Sequence, residues 1–189
     1  PKFLQEVANM KEKNLAVELL KKMIAEQVSV YRRTNVVKSE KFSEIMQRAV
    51  NAYLNGMLTN EEVIEEMLKL AKQIAAAHQE GDQLGLTADE LAFYDALTKP
   101  QAIKDFYENE ELIAITKELA ETLRRNKTID WQKRESARAK MRMLIKKLLK
   151  RHKYPPEGME DAVQTVMTQC ELWTDNLSFE EECNVYSYT

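Results

Sequence analysis

Glycine, proline and cysteine are all scarce in this sequence. Four glycines and four prolines among 189 residues indicate a helix-forming composition, and two cysteines are too few for a disulfide scaffold. No apolar run is long enough to span a membrane, and no signal peptide opens the chain. We therefore expect a soluble, cytoplasmic protein that does not contact a membrane. The first residue is Pro1 rather than methionine, which suggests a piece of a longer protein.

The sequence also lacks the short motifs of common catalytic and cofactor sites. The nearest approach to a phosphate-binding loop, GDQLGLT at residues 81–87, has neither the required spacing nor the lysine. No acidic residue has a lysine two positions later, which is the local pattern of a common class of metal-dependent nucleases. His78, His152, Cys170 and Cys183 are scattered without the spacing of zinc ligands. We expect no catalytic, cofactor or metal site here, so an autonomous enzyme is the weakest hypothesis.

Apolar residues recur at helical spacing along most of the chain, which predicts an all-α fold. We expect an irregular bundle of about seven or eight helices, followed by a C-terminal tail without helical periodicity. Two capping boxes, Thr59 with Glu62 and Thr87 with Glu90, predict helix starts. Further expectations are a first helix over residues 3–27, a break over 29–40, an N-cap at Ser39, a loop from Gly81 to Gly85, and a last helix over residues 159–177.

The predicted domain organisation follows the charge pattern. We expect a helical domain over residues 1–156, with residues 1–56 more loosely attached. Residues 157–189 contain eight acidic residues and no lysine or arginine. We expect this acidic helix and tail to fold back onto a basic helix at residues 130–153.

That basic helix belongs to the most polarised stretch of the chain. From Arg124 to Lys153 there are thirteen lysines or arginines and two acids, in a chain of net charge −3. Three residues are predicted structural anchors. Asp130 is the expected N-cap, Trp131 is expected to hold the helix against the core, and Tyr154 ends it before two prolines.

Placed on a helix, the basic stretch divides into an apolar arc, a solvated lysine face and a row of cations winding between them. Three interpretations of this charge compete. It is a solvated face, a contact to nucleic-acid backbone, or a contact to an acidic partner in this chain or another. No aromatic side chains alternate with the basic ones, which weighs against a base-stacking platform. The candidate partner or DNA interface consists of Arg124, Arg125, Arg134, Arg138, Arg142, Lys146 and Lys150.

Three stretches resemble a known family in the expected order. They are NEEVIEEMLKLAK at residues 60–72, LTADELAFYDALT at residues 86–98, and a segment with RRN, TIDW, RE and YPP at residues 124–156. Together they resemble the C-terminal part of the motor, or R, subunit of type I restriction–modification enzymes. The resemblance covers residues 60–156 firmly and residues 3–56 loosely, and the remaining tail matches nothing in the family pattern.

The resemblance implies a parent subunit that is an ATP-dependent DNA translocase and a type I site-specific endonuclease. It implies ATP and magnesium as cofactors of that parent, although the motifs that bind them do not occur here. It also implies that this part docks the motor onto the methyltransferase and specificity subunits, with double-stranded DNA contact as a further role. A free-standing helical nucleic-acid-binding module is the alternative hypothesis.

Overall fold

The computed structural model describes residues 2–128 and 130–186, with all side chains except those of residues 101 and 176–186. Within these ranges the backbone forms nine α-helices and one short 3₁₀ helix, and it forms no strand. The prediction of an all-α fold is confirmed. No helix in these ranges is long and apolar enough to cross a membrane.

The chain divides into two compact units. The first unit contains the residues up to Arg32 together with Lys38–Glu80, and the second contains Arg33–Val37 and the residues from Gly81 onward. The predicted boundary at residue 156 and the looser attachment of residues 1–56 stay predictions. The α-helices in chain order are α1 (Lys2–Ala8), α2 (Lys13–Thr34), α3 (Val36–Leu54), α4 (Asn60–Leu84), α5 (Ala88–Thr98), α6 (Gln101–Phe106), α7 (Asn109–Asn126), α8 (Glu135–Arg151) and α9 (Pro156–Tyr186).

The first unit has a core built mainly by α2 and α4. On α2 the buried residues Leu20, Ile24 and Val28 follow one another at four-residue spacing, as expected for one helix face. The start of α4 is fixed by the predicted capping box, in which the Thr59 N–H donates to Glu62 Oε2 at 2.7 Å. The Glu62 N–H donates in return to Thr59 Oγ1 at 3.3 Å, so this prediction is confirmed.

The second unit is organised around α5. All eight residues from Leu91 to Thr98 are buried, so α5 is covered on every side after its exposed first residues, Ala88 and Asp89. Helices α7 and α9 both pack against it, and α8 packs against α7 and α9. The capping box of Thr87 and Glu90 starts α5 as predicted.

The predicted break over residues 29–40 is wrong, because α2 and α3 are separated by Asn35 alone. Side chains from α5 and α9 satisfy the polar groups of this corner. The Asn35 amide donates to Asp95 Oδ2 at 2.7 Å, and the Val36 N–H donates to Gln169 Oε1 at 2.9 Å. The Gln169 amide also donates to the Thr34 carbonyl at 2.9 Å. The predicted N-cap Ser39 therefore lies within α3.

The predicted N-cap role of Asp130 is also wrong. Its backbone is left-handed with φ 57°, and its side chain makes no capping hydrogen bond. A 3₁₀ turn at Trp131–Lys133 intervenes, and α8 begins only at Glu135 after Arg134 in the N-cap position. In this turn the Trp131 ring is buried, with 0% of its surface exposed, and its Nε1 donates to Thr174 Oγ1 at 3.1 Å.

Other helix boundaries also differ from prediction. The expected first helix is interrupted after α1, and α2 starts at Lys13. Gly81 lies within α4, where a Cβ would come within 3.1 Å of the Leu86 carbonyl oxygen. Helix α9 begins at Pro156 rather than residue 159, since proline suits the first helical position, and it continues through the predicted tail to Tyr186.

Replacing Trp131 with alanine should lower the free energy of unfolding by about 3–5 kcal/mol, since a fully buried indole leaves a cavity. Chemical denaturation followed by circular dichroism measures this change. Trp131→Phe should lower the free energy of unfolding by less, because it keeps most of the apolar contact. It loses only part of that contact and the hydrogen bond to Thr174. Phe106 is 62% exposed, so Phe106→Ala is the matched control, with an expected change within about 0.5 kcal/mol. Equal losses for Trp131→Ala and Phe106→Ala would contradict the anchor role.

Candidate partner interface

Helix α8 turns an apolar face toward the core of the second unit. Met141, Ile145, Leu148 and Leu149 are buried, in agreement with the predicted apolar arc. This face fixes the rotation of α8 about its axis. The positions of all its charged side chains follow from that rotation.

One edge of α8 contacts the acidic helix α9. Arg138 forms an ion pair with Glu171, and Arg142 Nη2 donates to Gln164 Oε1 at 2.8 Å. Lys146 Nζ donates to Glu160 Oε2 at 2.7 Å. Because residue numbers rise along α8 as they fall along α9, the two helices run antiparallel. Three of the seven candidate interface residues, Arg138, Arg142 and Lys146, therefore have partners inside the chain.

The contact with Lys146 changes the ionisation of Glu160. The hydrogen bond from Lys146 and its positive charge hold the pKa of the Glu160 carboxyl below its ordinary value, with a smaller contribution from Arg142. Arg142 Nη1 lies 3.6 Å from the other carboxylate oxygen of Glu160. The side chains of Arg142, Lys146 and Glu160 are between 39% and 65% exposed. Such ion pairs add little to the free energy of unfolding, so their main effect is on the alignment of α8 with α9.

Two further candidates lie at the end of α7 and also have partners. Arg124 lies over the Trp173 ring at 5.5 Å from its centroid, beside Lys127 at 4.5 Å. Arg125 pairs with Glu121 one turn earlier on the same helix. Arg124 thus makes a cation–π contact with Trp173, and Arg125 makes an ion pair with Glu121.

The C-terminal end of α8 is closed by polar contacts. Glu118 of α7 pairs with Arg151 and accepts a hydrogen bond from His152 Nε2 at 2.6 Å. The Tyr154 hydroxyl donates to the Leu97 carbonyl at 2.7 Å, which joins the end of the basic helix to α5. Burial raises the pKa of Tyr154 to about 12, so this hydroxyl keeps its proton at neutral pH.

The remaining charge of α8 lies on a stripe that faces away from the core and from α9. We call this stripe the outer face. It consists of Lys140, Met143, Lys147 and Lys150, all exposed, and Met143 is 66% exposed. None of the three lysine side chains has a hydrogen bond or ion pair with any residue that the structure describes, and the same holds for the side chain of Arg134 at the start of the helix.

The sequence-based candidate list included two of these unpaired cations, Arg134 and Lys150, and missed Lys140, Met143 and Lys147. The helical projection had already placed Lys140 and Lys147 opposite the apolar arc, as a solvated face. The signal that could have singled them out is Met143, an apolar residue between two lysines on the same stripe. Single exposed apolar side chains are common on protein surfaces, so Met143 points to a contact only in combination with the unpaired lysines around it.

No group of three histidine, cysteine or acidic side chains among the described residues could hold a metal ion. Cys170 is buried on α9, and burial raises the pKa of its thiol to about 12. A thiol that stays protonated is a poor nucleophile.

Comparison with known proteins gives a family. A family model described as type I restriction enzyme HindI endonuclease subunit-like, C-terminal, matches residues 1–176. The chain belongs to this family. It is a C-terminal domain of a type I restriction enzyme endonuclease subunit, which confirms the resemblance found in the sequence. The expected end of the resemblance at residue 156 is wrong, since the family match continues to residue 176. No solved structure matches the chain.

Two curated relatives of this endonuclease subunit domain are similar over most of its length. The type I restriction enzyme HindI endonuclease subunit of Haemophilus influenzae is 39% identical over 93% of this chain. The putative type I restriction enzyme MjaIXP endonuclease subunit of Methanocaldococcus jannaschii is 33% identical over 84% of it. The matched regions make up only 17% and 15% of these relatives.

The link between α8 and α9 can be tested by titrating Glu160. Its carboxyl pKa, measured by ¹³C NMR, should lie below the ordinary value of 4.5 and should rise toward it in Lys146→Gln. Lys150→Gln is the matched control and should leave the pKa unchanged. Because the folded-state pKa is lowered, the contact stabilises the fold above the ordinary carboxyl pKa and is lost as pH falls through the lowered value. An identical titration in all three proteins would show that the contact is absent.

The reactivity of the buried Cys170 thiol can also be tested. In a Cys183→Ser background, Cys170 should not react with a thiol reagent at pH 8 in the native state. One thiol should become reactive in denaturant. Rapid native labelling would show that this face of α9 is not buried against the neighbouring helices.

Proposed function

We propose that this domain docks the DNA-translocating and DNA-cleaving part of the endonuclease subunit onto the methyltransferase and specificity subunits of a type I restriction enzyme. Contact with DNA backbone is a secondary role. The relatives are named as subunits of a restriction enzyme, and the matched domain accounts for about one sixth of their length. ATP and magnesium, which the resemblance implies, are assigned by this proposal to the remaining part of the parent subunit.

The outer face of α8 is the observation that supports docking most directly. Its three lysines have no partner among the described residues, while the cations on the neighbouring edge are paired with α9. An exposed methionine at the centre of the stripe adapts to an irregular apolar contact. This combination fits a protein surface with acidic groups around an apolar patch.

The same observations make DNA the weaker partner. The internal pairing removes Arg138, Arg142 and Lys146 from the surface available to phosphate groups. The outer face presents no aromatic ring on which a base could stack. Unpaired Arg134 and Lys150 still provide positive charge, and they are the observation that favours the alternative, a nucleic-acid-binding module.

Charge reversal on the outer face tests docking in the complete endonuclease subunit. The double variant Lys140→Glu and Lys147→Glu should weaken assembly with the methyltransferase and specificity subunits by about tenfold or more. Assembly is measured by surface plasmon resonance or analytical ultracentrifugation. Lys72→Glu with Lys117→Glu is the matched control, since both are exposed lysines on other helices and the charge change is equal.

The DNA alternative gives a different result in the same variants. A DNA-backbone binder loses affinity with salt, at a log–log slope of about −0.9 per phosphate contact. Steep salt-dependent binding of duplex DNA by this domain, lost in the Lys140 and Lys147 variant while subunit assembly is unchanged, would reject docking through the outer face.

A further inference from the structure

The first unit leaves much of its apolar surface exposed. Six of the eight exposed large apolar side chains among the described residues belong to it. On α3, Lys38 and Phe42 are the buried residues, so the last three turns of this helix contribute no buried side chain. Leu54 at the end of α3 and Met57 in the following loop are each 72% exposed. This half of α3 is amphipathic without having its apolar side fully covered.

An open groove lies between this half of α3 and the start of α4. Its volume is ≈ 360 Å³, which is at the small end of ligand-binding cavities and suits a few aliphatic side chains. Small and apolar residues from α3 and the loop form its apolar lining. These are Ile45, Ala49, Ala52 and Leu58.

The rim of the groove is predominantly acidic. Glu62, Glu65 and Glu66 of α4 line it, with Arg48 of α3 as the one basic residue in the lining. Arg48 is paired with Glu44 at 3.2 Å, one turn away on its own helix. Lys69 lies 3.4 Å from Glu65 and 3.2 Å from Glu66. Hydrogen bonds to Glu66 and Glu65, together with the negative charges of these carboxylates, raise the pKa of Lys69.

We propose that this groove binds an amphipathic helix of a partner protein, with apolar side chains entering the groove and lysine or arginine side chains meeting the glutamate rim. Helix-in-groove binding uses an apolar stripe at i, i+3 or i+4 spacing, which an open groove between two helices accommodates. The contacts of Glu65 and Glu66 with Lys69 are exposed, so a basic partner can compete for them at little cost.

The negative charge of the rim disfavours nucleic acid and anionic membranes as occupants of the groove. Three glutamates along the α4 side of the apolar floor repel nucleic-acid phosphates and anionic membrane surfaces. The groove lies in the first unit and has the opposite charge to the outer face of α8. The two surfaces therefore suit partners of different chemistry, and this proposal does not depend on the docking role of α8.

The probe is a synthetic helical peptide with leucines on one face and lysines along both edges of that face. Its control has glutamate in place of each lysine. Titrated into the ¹⁵N-labelled full chain, the lysine peptide should shift the amide resonances of Ile45, Ala49, Ala52 and Leu58, and the glutamate peptide should not. Equal shifts from both peptides, no binding of the lysine peptide, or shifts confined to other helices would overturn the proposal.

Two sets of variants locate the site. Ala49→Trp fills the groove and should weaken lysine-peptide binding by about tenfold or more, whereas Ala76→Trp, at an exposed position of α4 outside the lining, should leave it unchanged. Glu65→Gln with Glu66→Gln alters no packing and should reduce both the affinity and its salt dependence. Unchanged binding in the glutamine variant, or concentration-dependent self-association that blocks the peptide, would reject a basic helix as the occupant.

Discussion

The burial of residues 91–98 of α5 is the constraint on which the second unit depends. A helix covered on every side must have its polar groups satisfied from within the protein, since a buried polar group without a partner costs about 1–3 kcal/mol. Asp95 accepts from Asn35 at the α2–α3 corner, and the Leu97 carbonyl accepts from Tyr154 at the end of the basic helix. Two distant segments of the chain, the α2–α3 corner and the residues after α8, are thereby fixed to α5.

The rotation of α8 that buries its apolar face also determines which of its cations face α9 and which face solvent. Cations on one edge meet the acidic residues of α9, and the cations of the outer face meet solvent. Exposed or half-exposed ion pairs contribute roughly 0–1 kcal/mol each, so apolar packing holds the helices together and the ion pairs set their alignment. The surface available to a partner is therefore smaller than the basic composition suggests, and it is centred on Met143. We propose an acidic protein surface as the partner for this arrangement.

The fold was largely predictable from the sequence, and the interface was predictable only in part. Helical periodicity and the two capping boxes gave the fold class and two of the helix starts correctly, because both depend on local spacing. The start of α8 was missed because Asp130 has a side chain suited to capping a helix. In the structure the buried Trp131 lies in a 3₁₀ turn that separates Asp130 from α8. The α2–α3 corner was missed because its stabilising partners, Asp95 and Gln169, are 60 and 133 residues away in sequence.

The sequence by itself determined the helical class, the opposition of a basic and an acidic segment, and the family, which rests on three motifs in a fixed order. Those properties depend on residue type and local spacing. The tertiary structure decided which cations remain available, since pairing depends on how α8 is rotated against α9. It also revealed the groove of the first unit, whose apolar floor and glutamate rim come from two helices and the loop between them. A surface of that kind exists only once the helices are packed.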